Sequence, residues 1–155
     1  MEIRLAGTGD TAGWLALVEQ VRDSFPGLES REAMEEHRKT VLAFLARDEA
    51  ICAVDGGRLV GALLFSKKAG MLCFLAVDER FRRRHIAADM TAYMLTFLPP
   101  EQEITVTTYR EGTPQGAAAR AFYKGLGFTE GELTEEFGSP VQVFRWNRTG
   151  ESEIG

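Results

Sequence analysis

The chain has 155 residues, 45% of them hydrophobic and 26% charged, with a net charge of -5. This suits one globular domain around one core and excludes disordered and fibrous classes. The acidic balance argues against a surface that coats nucleic acid, and no apolar run is long enough to cross a bilayer.

Residues Met1 to Leu5 lack a basic region followed by an apolar one, so no signal peptide is expected and a cytoplasmic protein is the default. Glu2–Ala6 reads as a first strand. Asp10 or Thr11 is placed to cap a helix whose apolar residues are Trp14, Val18, Val21 and Phe25, and Pro26-Gly27 ends it. Ser30 then caps a second helix, with Glu32 in its first turn and Met34, Val41 and Leu45 on one face. His37 lies on the charged face of that helix and is expected in solvent. Trp14, Phe25 and Trp146 read as packing residues.

Ala50–Val54 and Leu59–Ser66 form a hairpin around the turn 55–58, and Ala69-Gly70 leads into a third strand, Met71–Val77. Cys52 and Cys73 fall inside these strands and read as small buried hydrophobes, with neither disulfide nor metal-type spacing. No metal site is expected. A helix follows from about Arg83 to Leu98, with Ile86, Met90, Tyr93 and Phe97 on one stripe and Pro99-Pro100 as its stop. Glu103–Tyr109 alternates as a strand, and Gln115–Leu126 is a helix ending at Gly127. Strands Phe128–Leu133 and Val141–Trp146 flank a turn at Gly138-Ser139-Pro140. Residues 1–147 therefore form one domain, with 148–155 a polar tail.

The order β-α-α-β-β-β-α-β-α-β-β gives an α/β (α+β) fold: a mixed, mostly antiparallel sheet of about seven strands with four helices. The crossover through the third helix makes the strands before and after it parallel neighbours. Ligands favour the carboxyl ends of such strands.

Arg82, Arg83 and Arg84 stand where the first turn of the third helix is expected. A helix N-terminus already carries partial positive charge, so cations there are unfavourable. No Ser, Thr, Asp or Asn stands immediately before them as a cap. A strand, a basic turn and an uncapped helix start point to a bound polyanion such as a pyrophosphate.

Two motifs carry a resemblance. Val77-Asp-Glu-Arg-Phe81-Arg82-Arg83-Arg84-His85-Ile86-Ala87 resembles the Arg/Gln-x-x-Gly-x-Gly/Ala segment of the GNAT N-acetyltransferase superfamily. Ala119-Arg-Ala-Phe-Tyr123-Lys-Gly-Leu-Gly127-Phe128 resembles its Ala-x-x-x-Tyr-x-x-x-Gly-Phe segment. In two places the chain departs from the pattern: His85 replaces the first motif glycine, and Gly116 replaces an asparagine that many relatives carry.

The resemblance implies an acetyl-CoA-dependent transfer of an acetyl group to a primary amine, by direct attack on the thioester. It implies that Arg82, Arg83, Arg84, His85, Ile86 and Ala87 hold the pyrophosphate, and that the backbone of Leu75 and Val77 aligns the pantetheine arm. Tyr123 would protonate the leaving thiolate. Met71–Val77 contains no carboxylate, so Glu111 is the first choice for the base and Asp78 the second. A small-molecule or peptide amine is the expected partner, received near Phe25–Ser30 and the Glu135–Pro140 turn, where Glu29, Glu135 and Glu136 would attract a cation. Neither nucleic acid nor membrane is expected as a partner. Members of the family are often dimeric, which leaves room for a homodimer. The alternative is an acyl-CoA sensor without turnover.

Overall fold

The computed structural model describes residues 1–22, 28, 30–136 and 138–148. Its elements are β1 (Glu2–Leu5), α1 (Thr11–Val21), α2 (Arg31–Ala46), β2 (Ala50–Asp55), β3 (Arg58–Ser66) and β4 (Met71–Val77). These are followed by α3 (Ile86–Leu95), β5 (Ile104–Tyr109), α4 (Ala117–Leu126), β6 (Thr129–Glu136) and β7 (Ser139–Trp146). This is the element order read from the sequence. The strands form one sheet, β1-β2-β3-β4-β5-β7-β6, antiparallel except for β4 against β5. The expected ends of α1, at Phe25 and Pro26-Gly27, lie outside the described residues, as do 149–155 of the expected tail.

Because successive side chains of a strand point to opposite faces, β3 feeds two cores at once. Ala62 and Leu64 join Trp14, Val18, Val41 and Leu45 beneath α1 and α2. Leu63 and Phe65 join Met90, Met94, Ile104 and Phe144 beneath α3 and α4. Gly61 of β3 lets α3 sit close: a Cβ there would lie 2.8 Å from Met90 Cε and 3.1 Å from Ile86 Cγ2. A β3 side chain at this point would push the start of α3 off the sheet.

The feature that positions the site is a short parallel pairing. β4 meets β5 only at Met71↔Thr105 and Leu72↔Val106. On its other side, Phe65 of β3 opposes Leu72 while Leu64 opposes Phe74, so Cys73 is an extra residue in β4. Such a bulge bends its strand and increases the local twist. Beyond it β4 and β5 diverge, and a crevice opens between them.

Several local expectations are corrected. Asp10 takes the N-cap position of α1 but caps nothing there, its carboxylate bonding Arg4 and the Gly7 N–H instead. Ser139 and Pro140 belong to β7 rather than to a turn. Pro140 is tolerated because β5 pairs with β7 only from Val141 onward, so no ladder bond needs its missing N–H. Cys52 is buried as expected, whereas Cys73 is exposed, because the splay removes the strand that would have covered it.

Candidate active site

The crevice holds a cavity of about 400 Å³. One wall is β4, with Leu75 and Val77. The other is made by Thr107 and Thr108 of β5 and by Ala119 and Tyr123 of α4. Arg82, Arg83, His85, Ile86 and Ala87 close one end, at the start of α3. Val21 of α1, from the opposite face of the sheet, also lines the cavity. The cavity thus joins the two faces where the sheet is open.

The arginines do not occupy the first turn of α3, which begins only at Ile86. They form the loop that leads into it. Arg82 is extended, at φ -68° and ψ 158°, while Arg83 (φ 67°) and His85 (φ 62°) are left-handed. This is the conformation in which glycine is least strained, which explains the motif's usual residue at position 85. Histidine is among the side chains that tolerate it best.

Among the described residues, the N–H groups of Arg83 to Ala88 donate to no protein acceptor, and His85 supplies no side-chain cap. Left-handed turns of this kind gather successive N–H groups into a concave anion site. Arg82, Arg83 and Arg84 form no ion pair with any described residue. Arg84 does not line the cavity; its guanidinium lies over the Phe81 ring, 5.0 Å from the centroid. Neighbouring Arg80 is already committed, with Nη2 2.8 Å and Nε 3.1 Å from the two carboxylate oxygens of Asp78. That hydrogen bonding holds the buried Asp78 carboxyl below its usual range and makes it a structural group rather than a base.

Tyr123 is 5% exposed. Its ring packs against Phe128 at 5.5 Å and Phe144 at 6.4 Å, and no described residue hydrogen-bonds its hydroxyl. Burial pushes the phenol well above its ordinary pKa, so the proton is retained at any physiological pH. Glu111, by contrast, is exposed and lines a separate shallow depression with Thr113, Pro114 and Lys124. Among the described residues, no carboxylate lines the crevice.

At the edge of the crevice, the Cys73 residue is exposed to solvent, yet the protein crowded around its sulfur pushes the thiol up to about 11, with Glu49 adding to the rise, Arg47 opposing it and Glu136 contributing from the β6–β7 hairpin. Glu136 is itself raised by partial burial. Glu135 and Glu136 pair with Pro140 and Ser139 in that hairpin. Phe25 and Glu29 lie outside the described residues.

His37 corrects its expected placement in solvent. Its ring lies 4.8 Å from that of Phe74, a residue lining the cavity, and its Nε2 is enclosed without a partner among the described residues. Burial lowers its pKa to about 4. The charged residues around it in sequence concealed this, because only the docking of α2 on β4 decides which side of the helix is covered. Gly116 also has a physical reason. A Cβ there would lie 2.5 Å from Tyr109 Cβ, so an asparagine does not fit in this chain.

Leu75, Val77, Arg82, Arg83, His85, Ile86, Ala87 and Tyr123 thus share one cavity, whereas Arg84 and Glu111 stand outside it. The family model for the "Acetyltransferase (GNAT) family" matches residues 14–128. The chain belongs to the GNAT acetyltransferase family. No curated protein sequence matches it closely enough to count as a relative. Similar folds occur in a GNAT-family acetyltransferase from Bacillus cereus, at 16% identity and TM-score 0.72 over 95% of this chain and 96% of that one. A PaiA N-acetyltransferase from Thermoplasma acidophilum, solved with coenzyme A, matches at 16% identity and TM-score 0.70, covering 94% and 98%. A ribosomal-protein-alanine N-acetyltransferase from Brucella melitensis matches at 17% identity and TM-score 0.68, covering 95% and 99%. At such identities these neighbours establish the GNAT fold. GNAT enzymes use acetyl-CoA, and among the described residues of this member no helix is long and apolar enough to cross a membrane.

Proposed function

We propose that this GNAT domain, residues 1–147, transfers an acetyl group from acetyl-CoA to a primary amine. The observation that carries the reading is the junction of the β4–β5 crevice with an uncapped helix start whose flanking arginines form no ion pair with any described residue. The site fits a phosphate-bearing thioester. Arg82 and Arg83 supply charge-assisted donors, and the free N–H groups from Arg83 to Ala88 supply neutral ones. Beyond Leu72, β4 no longer pairs with β5, so an extended pantetheine arm would lie along the strand near Leu75 and Val77. A backbone N–H of β4 would stabilise the developing oxyanion.

Acetyl-CoA supplies an activated acyl group, and the chain supplies orientation and a proton. Tyr123 Oη would donate toward the departing sulfur. With ordinary pKa values of about 8.5 for a thiol and 10 for tyrosine, full transfer is uphill by about 2 kcal/mol. Burial raises the phenol further but disfavours a thiolate in the same cavity too, so Tyr123 serves best as a hydrogen-bond donor that transfers its proton late. Glu135 and Glu136 would draw a cationic amine toward the open side of the crevice, where its surplus proton passes to solvent. Glu111 lines a separate depression and would take that proton only through water.

Thiol release from acetyl-CoA across a panel of amines tests the activity. Tyr123→Phe is expected to reduce turnover about tenfold or more with coenzyme A affinity unchanged. Full turnover by that variant removes Tyr123 from the mechanism. The second reading is an acyl-CoA sensor, for which the motive is that no carboxylate lines the cavity among the described residues. Tight coenzyme A binding with no release under any amine would establish it.

A further inference from the structure

We propose that Arg120 is the positioning residue for Tyr123, fixing the rotation and height of α4 over the crevice. The inference rests on the acetyl-transfer reading, within which Tyr123 is the proton donor. Arg120 and Tyr123 are three residues apart on α4 and so share the face that meets the sheet. Nothing polar holds Tyr123 itself: its ring is gripped by apolar neighbours and its hydroxyl has no described partner. The place of that hydroxyl is therefore set by the helix.

The helix, in turn, is held by apolar packing, by Lys124 Nζ 2.8 Å from the Glu130 carboxylate, and above all by the Arg120 guanidinium. Arg120 Nη1 donates to the carbonyl of Tyr109, the last residue of β5, at 2.9 Å. It also donates to Gln142 Oε1 of β7 at 2.9 Å. Nη2 bonds the carboxylate of Glu130 on β6. The guanidinium carbon lies 4.9 Å from the centroid of the Phe144 ring, and the same ring touches Tyr123. Gln142 is oriented for its part by donating through Nε2 to the Gly131 carbonyl at 2.9 Å. One side chain therefore ties α4 to three strands, including the end of β5 whose Thr107 and Thr108 form the cavity wall.

This arrangement is costly if its only purpose is to hold the helix down. Arg120 is 6% exposed, and burying a cation carries a desolvation penalty that an apolar side chain of similar size avoids. Apolar contact holds a helix on a sheet but leaves it free to slide and turn slightly. A planar fork of donors meeting a backbone carbonyl, an anchored amide and a carboxylate restricts the placement far more. Proton donation is sensitive to displacements of that small size.

Arg120→Met, which fills the space without the fork, tests the inference in the full chain. Turnover is expected to fall about tenfold or more, with the KM for acetyl-CoA within about threefold because the α3 loop is untouched. Arg120→Lys should fall between, and it takes the place of the methionine variant if that chain does not fold. The deciding comparison is a double-mutant cycle. In a Tyr123→Phe background the Arg120 substitution should cost almost nothing further in turnover, since the group it positions is gone. Multiplicative losses, or a loss of coenzyme A affinity that matches the loss of turnover, overturn the proposal. A second readout needs no turnover. In chains labelled with 3-fluorotyrosine, the fluorine resonance assigned to position 123 by its loss in Tyr123→Phe should be single in the unaltered chain. It should split or broaden in Arg120→Met, and an unchanged line overturns the proposal. Failure of the acetyl-transfer reading would show separately, as no thiol release from the unaltered chain.

Discussion

The helices α2 and α3 start in contrasting ways within one chain. At α2, Ser30 is extended and its hydroxyl accepts the Ala33 N–H at 3.0 Å, with Glu32 in the first turn complementing the helix dipole. At α3 the cap residue is a left-handed histidine that caps nothing, and the charges before it are of the wrong sign for the dipole. The first helix satisfies its own N-terminus and is finished on folding. The second is left open and electropositive at the mouth of a cavity, an arrangement that a bound anion would make more favourable. An unsatisfied terminus beside a crevice is thus a better pointer to a binding site than the arginines alone.

The sharpest way to break this comparison is at α3. Charge-assisted hydrogen bonds contribute about 1.5–3 kcal/mol each, so Arg82→Ala with Arg83→Ala should weaken coenzyme A binding about a hundredfold or more by calorimetry. A truncated thioester without phosphates should lose little, and equal losses for both would mean that the guanidiniums do not touch phosphate.

Next in size is an effect on α2. His37 has its pKa lowered to about 4 from an ordinary 6.5. Above pH 7 its ring is neutral whether the chain is folded or not, so it adds no pH dependence there. As pH falls through 6.5 the unfolded chain takes up a proton that the folded chain refuses until about pH 4. Stability should drop across that window by about 3 kcal/mol at most from this group. Urea unfolding at pH 7 and pH 4.5 should show a smaller acid loss in His37→Phe than in the unaltered chain, and an equal loss would mean that the ring is solvated after all.

Smaller effects sharpen the contrast between the two helix starts. Ser30→Ala should cost about 1 kcal/mol of stability and leave coenzyme A affinity unaltered. His85→Gly should do the reverse. It relieves a left-handed side chain, a strain of about 1 kcal/mol partly offset by the greater freedom of glycine when unfolded. A small gain in melting temperature with equal or tighter coenzyme A binding is expected, whereas a marked loss of affinity would show that the imidazole contacts the ligand.

Local sequence was enough for the element order, the parallel crossover and most of the segments that line the cavity. Periodicity, the Ser30 cap and short motifs act over a few residues, and they read correctly because neighbours in the chain supply them. Leu75, Val77, Arg82, Arg83, His85, Ile86, Ala87 and Tyr123 belong to such segments, and all of them face the cavity. The start of α3 was placed too early because its stripe of apolar residues does not reveal the two left-handed residues before it.

What the tertiary structure alone decided concerns surfaces made by distant segments. Cys73 is uncovered because β5 swings away, and His37 is covered because α2 lies on Phe74. Glu111 falls outside the crevice, and Arg120, unremarkable within its motif, reaches three strands. Burial and partnership are properties of the space around a side chain. For these residues that space is filled, or left empty, by parts of the chain far away in sequence, and no local pattern encodes it.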